Sequence, residues 1–254
     1  MGETLTEIPE YLIEWIKKQH VFWVASAPLS ADGHVNVSPK GIEGTFHIVN
    51  SRRVWYEDLS GSGAETIAHI RENGRVTVLF NAFDGPPRIV RLYGKGTIHE
   101  IGSQEYEFLL PSSIRQPGSR AVIIIDVFKV GTVYQTCGWA VPFYAFESHR
   151  SQLIDWAAKK ERADRICGSN PSEKGMMAWW RTRNAESLDG LPALALAQTS
   201  SPPPKVLLRS PTQTQTGLLS GYVLAFMLGV AVASLAPIHA AKNLLLWNIS
   251  SFLR

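Results

Sequence analysis

The sequence predicts a mainly β fold with flanking helices, an antiparallel barrel or sandwich, and three observations carry that expectation. Short runs rich in β-branched and aromatic residues recur from His20 to Tyr134. Turn material such as Ser30-Ala31-Asp32-Gly33 and Asp84-Gly85-Pro86-Pro87 separates them. No regular helices alternate with these runs, which argues against a doubly wound parallel sheet.

The elements follow in order. Ile8, Tyr11, Leu12, Trp15 and Ile16 recur at helical spacing within Glu7 to Lys18, and Pro9 is acceptable in a first turn. Strands are expected over His20 to Ala27, His34 to Ser38, Thr45 to Val49, Arg53 to Asp58, Arg75 to Ala82, Arg88 to His99 and Ala121 to Tyr134. One helix interrupts them, from Ala64 to Arg71, with Asn73-Gly74 as its stop. Two later helices, Ser151 to Ile166 and Glu173 to Arg181, supply Trp156, Trp179 and Trp180.

The chain has 254 residues, 45% hydrophobic and 19% charged, enough to bury a core in one or two domains. Its net charge is +3, but Lys205, Arg209, Lys242 and Arg254 lie in a tail without Asp or Glu, which leaves the rest nearly neutral. Net charge is therefore no argument for nucleic-acid binding. Cys137 and Cys167 form neither a disulfide framework nor a zinc spacing, which suits a reducing compartment. The acidic N-terminus, with Glu3, Glu7 and Glu10, lacks the pattern of a secretory signal.

Composition divides the chain into a body over 1–195, a Pro/Ser/Thr/Gln-rich linker over 196–216 and an apolar tail over 217–254. Gly217 to Pro237 carries no charged side chain. About 20 such residues at 1.5 Å each match a ~30 Å hydrocarbon core. A transmembrane helix there predicts a cytoplasmic body tail-anchored to an intracellular membrane. A buried hairpin of core helices, or a segment introduced by an error in gene prediction, is the alternative.

Three stretches are candidates for chemistry. In Asp58-Leu59-Ser60-Gly61-Ser62-Gly63-Ala64 a strand end turns through glycines into a helix start, where backbone N–H groups and the hydroxyls of Ser60 and Ser62 suit an anion. Serines before a helix are also ordinary caps. In His34 to Gly41, alternation puts Asn36, Ser38 and Lys40 on one face, either a binding face or a solvated one. Arg88 and Arg91 have opposite parity, so an undistorted strand brings at most one of them to a shared pocket. The seven histidines form no metal spacing, no GxSxG elbow occurs, and Cys137 has no identifiable base partner.

The runs HVNVSPKG, DLSGSGAETIAHIRENGR, FNAFDGPPRIVRLYGKG, QTCGWAVP and SLDGLP, in that order from Ile8 to Pro192, resemble an uncharacterised subgroup of the pyridoxamine 5′-phosphate oxidase-like family that includes fungal proteins. The resemblance implies an antiparallel Greek-key split β-barrel that forms a homodimer, with FMN in a groove between the subunits. By this resemblance Asn36, Ser38 and Lys40 touch the flavin and Tyr56 stands on the next strand. Ser62 and Gly63 occupy the positions of an arginine–lysine pair that grips the FMN phosphate, beside Ser60. Lys40, Arg88 or Arg91 is then expected to supply the missing charge. The implied function is an FMN-dependent oxidoreductase with an unnamed small-molecule substrate. The alternatives are a flavin-binding protein without turnover, a barrel holding a deazaflavin or heme, or a barrel without ligand. The oxidase's C-terminal substrate segment has no counterpart here.

Overall fold

Alternation of apolar with polar residues gives each strand a core face. Thus β2 (Phe22–Ser26) buries Phe22, Val24 and Ser26, and β6 (Arg75–Asn81) buries Val76, Val78 and Phe80. The computed structural model describes residues 2–133, 138–168 and 172–198. Its other strands are β1 (Glu3–Leu5), β3 (Asn36–Lys40), β4 (Phe46–Asn50), β5 (Arg53–Leu59), β7 (Ile89–Glu100) and β8 (Ser119–Val133). All pair antiparallel in one sheet of order β3-β2-β6-β7-β8-β5-β4, and β1 pairs with β8.

This arrangement corrects the expected Greek-key split barrel. Strands β3 and β4 are the two edges of the sheet, and no ladder joins them, so among the described residues the sheet is open and the fold is mixed α/β. The chain leaves β3 through Gly41 and turns at Gly44, whose φ of +75° suits a residue without a side chain, before β4 pairs with β5 alone. The expected C-terminal hydrophobic helix is corrected as well: no helix of the described residues is long and apolar enough to cross a membrane. With it go the tail anchor, the membrane association and the membrane localisation. Residues 217–254 themselves lie outside the described residues, as do the linker from position 199 onward and Cys137.

Helix α1 (Glu10–Ile16) starts after Pro9 and buries Leu12 and Ile16. Helix α2 (Glu65–Asn73) buries Ile67, Ala68 and Ile70 and ends where Gly74 takes φ +74° and donates to the Ile70 carbonyl. Three short elements carry too little periodicity to be expected: β1, α3 (Gln104–Leu109) and α6 (Ala195–Gln198). Helix α3 is capped by Ser103, whose hydroxyl accepts from the Tyr106 amide. Helices α4 (Gln152–Cys167) and α5 (Met176–Arg183) pack on each other and on the core through Ala157, Met176 and Trp180.

The main core runs from Leu12 and Ile16 through Tyr56, Phe80 and Leu92 to Ile123 and Ile125, all nearly inaccessible. Burial of each such aliphatic or aromatic side chain contributes about 1.5–3 kcal/mol. Strand β5 buries six consecutive residues because its second face meets α3, where Trp55 joins Tyr106, Leu110 and Val122.

Two bulges distort β8. Asp58 faces Ala121 while Leu59 faces Ser119, which leaves Arg120 as the extra residue; likewise Tyr93 faces Lys129 and Gly94 faces Val127, which leaves Phe128 extra. At the second bulge a Cβ on Gly94 would collide with Ile125, so the close approach requires glycine.

Candidate functional site

A groove of about 1330 Å³ opens beside the edge strand β3, large enough for a cofactor-sized ligand. Its floor is the polar face of β3, one end is the Ser60–Gly63 turn with the start of α2, and its outer side is the segment from Tyr144 to Arg150. All of these walls belong to one chain. The expected homodimer with the groove between subunits gains no support from this arrangement: the described lining residues, the Tyr144–Arg150 segment among them, all belong to one chain, and no observation speaks to the oligomeric state. That segment is fixed by the Tyr144 amide donating to the Phe83 carbonyl (3.0 Å), by His149 Nδ1 donating to the Gly41 carbonyl (2.7 Å), and by Phe146 stacked on His20 (3.7 Å).

Six of the nine residues singled out in the sequence meet here: Asn36, Ser38, Lys40, Ser60, Ser62 and Gly63 all line the groove. Tyr56 lies fully buried, with the Lys40 ammonium 5.9 Å from its ring centre. Arg88 and Arg91 stand elsewhere: the Arg88 guanidinium sits 5.2 Å over the Trp15 ring, and Arg91 is on the central strand β7, paired with Leu79 and Gly131.

On the floor, Asn36 Nδ2 donates to Thr66 Oγ1 (3.0 Å) and Ser26 Oγ (3.3 Å), while its Oδ1 accepts from Ser38 Oγ (3.0 Å). Ser26 in turn meets the buried His69 at Nδ1 (3.0 Å). The amide of Asn36 is thus fixed in orientation, and Ser38, its hydrogen already given to Asn36, offers the groove lone pairs only.

At one corner of the groove a buried carboxylate lies between two cations. Asp58 Oδ1 accepts from Lys40 Nζ (3.0 Å) and Oδ2 from Arg120 Nε (2.7 Å). Burial alone pushes the Asp58 carboxyl up, but the Arg120 guanidinium and then the Lys40 ammonium outweigh it and hold the group below the usual carboxylate range. Two positive charges against one negative leave these three side chains net positive, while the Glu65 carboxylate, which accepts from the Leu188 amide, lies beside Gly63. Arg120 Nη1 also donates to the Gly63 carbonyl (2.9 Å), which ties the charge to the glycine-serine turn.

Arg120, which the sequence reading does not single out, supplies the second cation beside Lys40 at this corner. Sequence alternation does not reveal it, because its side chain reaches Asp58 only through the bulge. The hydroxyl of Ser60 is engaged within the protein: it donates to the Gly118 carbonyl (2.6 Å) and accepts from Trp180 Nε1 (2.7 Å). Burial, followed by the Asp58 charge, holds the Tyr56 phenol well above its ordinary range, and its oxygen has no hydrogen-bond partner among the described residues. Glu57, one residue along, is pushed up by burial against the opposing pull of the Gln116 amide.

The profile of the family described as pyridoxamine 5′-phosphate oxidase matches residues 8–134. A pyridoxamine 5′-phosphate oxidase family protein of Aspergillus flavus, ustO, is 36% identical over 202 residues, which cover 74% of this chain and 76% of that protein. The chain belongs to the pyridoxamine 5′-phosphate oxidase family. Membership carries the family's general class, a flavin-dependent oxidoreductase. Among solved structures, HupZ of Group A Streptococcus is 20% identical, covering 54% of this chain and 99% of its own, with a TM-score of 0.41. A putative pyridoxamine 5′-phosphate oxidase from Listeria innocua is 14% identical, covering 50% and 98%, with a TM-score of 0.36. Likenesses of that degree carry no argument about the site of this family member. Helices α4 and α5 lie beyond the matched profile.

The donor set fits a flavin phosphate. The family's flavin needs an anion site and an apolar wall. Lys40 and Arg120 supply the cationic corner, Ser62 adds a hydroxyl, a Cβ at Gly61 would meet open space, and Leu59, Phe83 and Tyr144 offer apolar surface.

Proposed function

We propose that the groove binds FMN and that the protein is an FMN-dependent oxidoreductase. The observation that carries this reading is the cationic corner of Lys40, Arg120 and Asp58 at the foot of the Ser60–Gly63 turn. The FMN phosphate lies against Ser62, Gly63 and Lys40, and the ring system lies along Asn36 and Ser38, with Tyr56 as the protonated group beneath. Arg88 and Arg91 take no part.

Bound flavin supplies hydride chemistry, so the chain's own residues need only bind, orient and exclude water. Asp58 holds both cations in place, the Asn36–Ser26–His69 contacts orient the floor, and Tyr144 to Arg150 covers the outer side. Ser62 and Gly63 in place of two cationic side chains favour weaker, exchangeable phosphate binding. That feature supports a second reading, a flavin-binding protein without turnover.

Titration of the purified chain with FMN tests the first claim: saturable quenching of flavin fluorescence supports it, and its absence rejects it. Reduction of bound FMN by nicotinamide donors, followed by turnover with an acceptor, separates the enzyme from the carrier.

A further inference from the structure

Three donors from outside the sheet converge on two residues of the Ser60–Gly63 turn. Trp180 Nε1 donates to Ser60 Oγ (2.7 Å), and Trp179 Nε1 (2.9 Å) and Asn184 Nδ2 (3.2 Å) both donate to the Gly61 carbonyl. Trp180 and Asn184 are buried, and Trp179 is half-buried. The helix that presents the two indoles is itself fixed: Asp164 of α4 accepts from the amides of Met176 (2.7 Å) and Met177 (3.0 Å) at the start of α5.

These contacts have a directional consequence. In a planar trans peptide the carbonyl and the following N–H point opposite ways. With the Gly61 carbonyl drawn to Trp179 and Asn184, the Ser62 N–H is turned to the other side. With the Gly63 carbonyl drawn to Arg120, the buried Ala64 N–H is turned away from that guanidinium, so Ser62 is the residue whose amide is left for a ligand. Ser60 is held from both sides, since its amide and hydroxyl both donate to the Gly118 carbonyl while its oxygen accepts from Trp180.

We propose that Trp179 and Trp180 are positioning residues that set the Ser60–Gly63 turn so that its Ser62 backbone amide, in place of a basic side-chain pair, receives the ligand's phosphate. This rests on the FMN reading above. The tryptophans act through the turn and do not touch the ligand. Their effect is therefore confined to the phosphate, and riboflavin, which lacks it, is insensitive to them.

The experiment titrates FMN and riboflavin in parallel into the full chain and into Trp180→Phe, Trp179→Phe, Ser60→Ala and the Trp180→Phe/Ser60→Ala double variant, with thermal midpoints measured alongside. Phenylalanine keeps the ring packing and removes the indole donor. Because Trp179 is only half-buried, its variant folds even where that at Trp180 does not. Each single variant is expected to weaken FMN about three- to tenfold, as for loss of one neutral hydrogen bond, and to leave riboflavin unchanged. The double variant is expected to be no weaker than the more affected single one. Equal losses for FMN and riboflavin, or no loss of either, would overturn the assignment while leaving FMN binding by the unaltered chain intact. Failure of the unaltered chain to bind FMN at all would instead remove the reading beneath it, and this proposal with it.

Discussion

Asp58 on β5 and Arg120 on β8 meet at 2.7 Å, fully and almost fully buried, because the bulge between the two strands makes Arg120 the extra residue. A buried carboxylate with one of its cations removed is costly. Arg120→Met is expected to lower stability by about 3 kcal/mol, partly offset by Lys40, and Arg120→Met/Asp58→Asn by less than Arg120→Met alone. Urea unfolding of the two variants checks the ranking, and a double variant less stable than the single would refute it.

The same carboxylate makes stability depend on pH in a defined direction. Its folded pKa is depressed, so its contribution is complete above the range of an unfolded aspartate and is lost as pH falls through the folded value. Thermal midpoints between pH 5 and about 2 are expected to fall less steeply in Asp58→Asn than in the parent.

Glu57 behaves oppositely. Burial raises its folded pKa above the unfolded value, so the charged form destabilises the fold at neutral pH, and stability is gained as pH falls. Glu57→Gln keeps the acceptor for the Gln116 amide, which lies at 2.8 Å. Its midpoint is expected to exceed the parent's at pH 7, with the difference closing below the ordinary carboxylate range.

Lys40→Ala removes a cation from the groove and one of the two partners of Asp58. Ser62→Glu places like charge beside the phosphate. Each is expected to raise the FMN dissociation constant about tenfold or more, the scale of a charged hydrogen bond. Unchanged constants in both variants would put the phosphate elsewhere.

Asp189 links the C-terminal segment to the groove rim: it accepts from the His34 amide (2.8 Å) and contacts His34 Nδ1 (2.6 Å). Asp189→Ala is expected to speed amide hydrogen exchange around His34 with only a small change in global stability, since the pair stands at the edge of the sheet.

These contacts also mark what was legible in the sequence. Runs of β-branched and aromatic residues bounded by turn material located the seven longer strands, and the glycine stop at Gly74 located the end of α2, because both signals are local. The polar parity of Asn36, Ser38 and Lys40 survives because β3 is regular. Arg88 and Arg91 do not line the groove, since nothing local says which strand borders it, and β7 lies in the middle of the sheet. Arg120 was hidden by its bulge. The run SLDGLP reads in the sequence as no more than a turn. In the fold it holds the rim, through Asp189 on His34 and the Leu188 amide on the Glu65 carboxylate (3.0 Å), a pairing of residues more than a hundred positions apart. Closure of the sheet is likewise a nonlocal property that strand patterning leaves open.

The most direct measurement is the FMN affinity of Arg120→Met beside that of Arg88→Met and Arg91→Met, each variant first confirmed as folded by its near-ultraviolet circular dichroism. Selective loss of affinity in the Arg120 variant is the predicted result. Full retention there, with loss at Arg88 or Arg91, would contradict the assignment of the anion-binding corner.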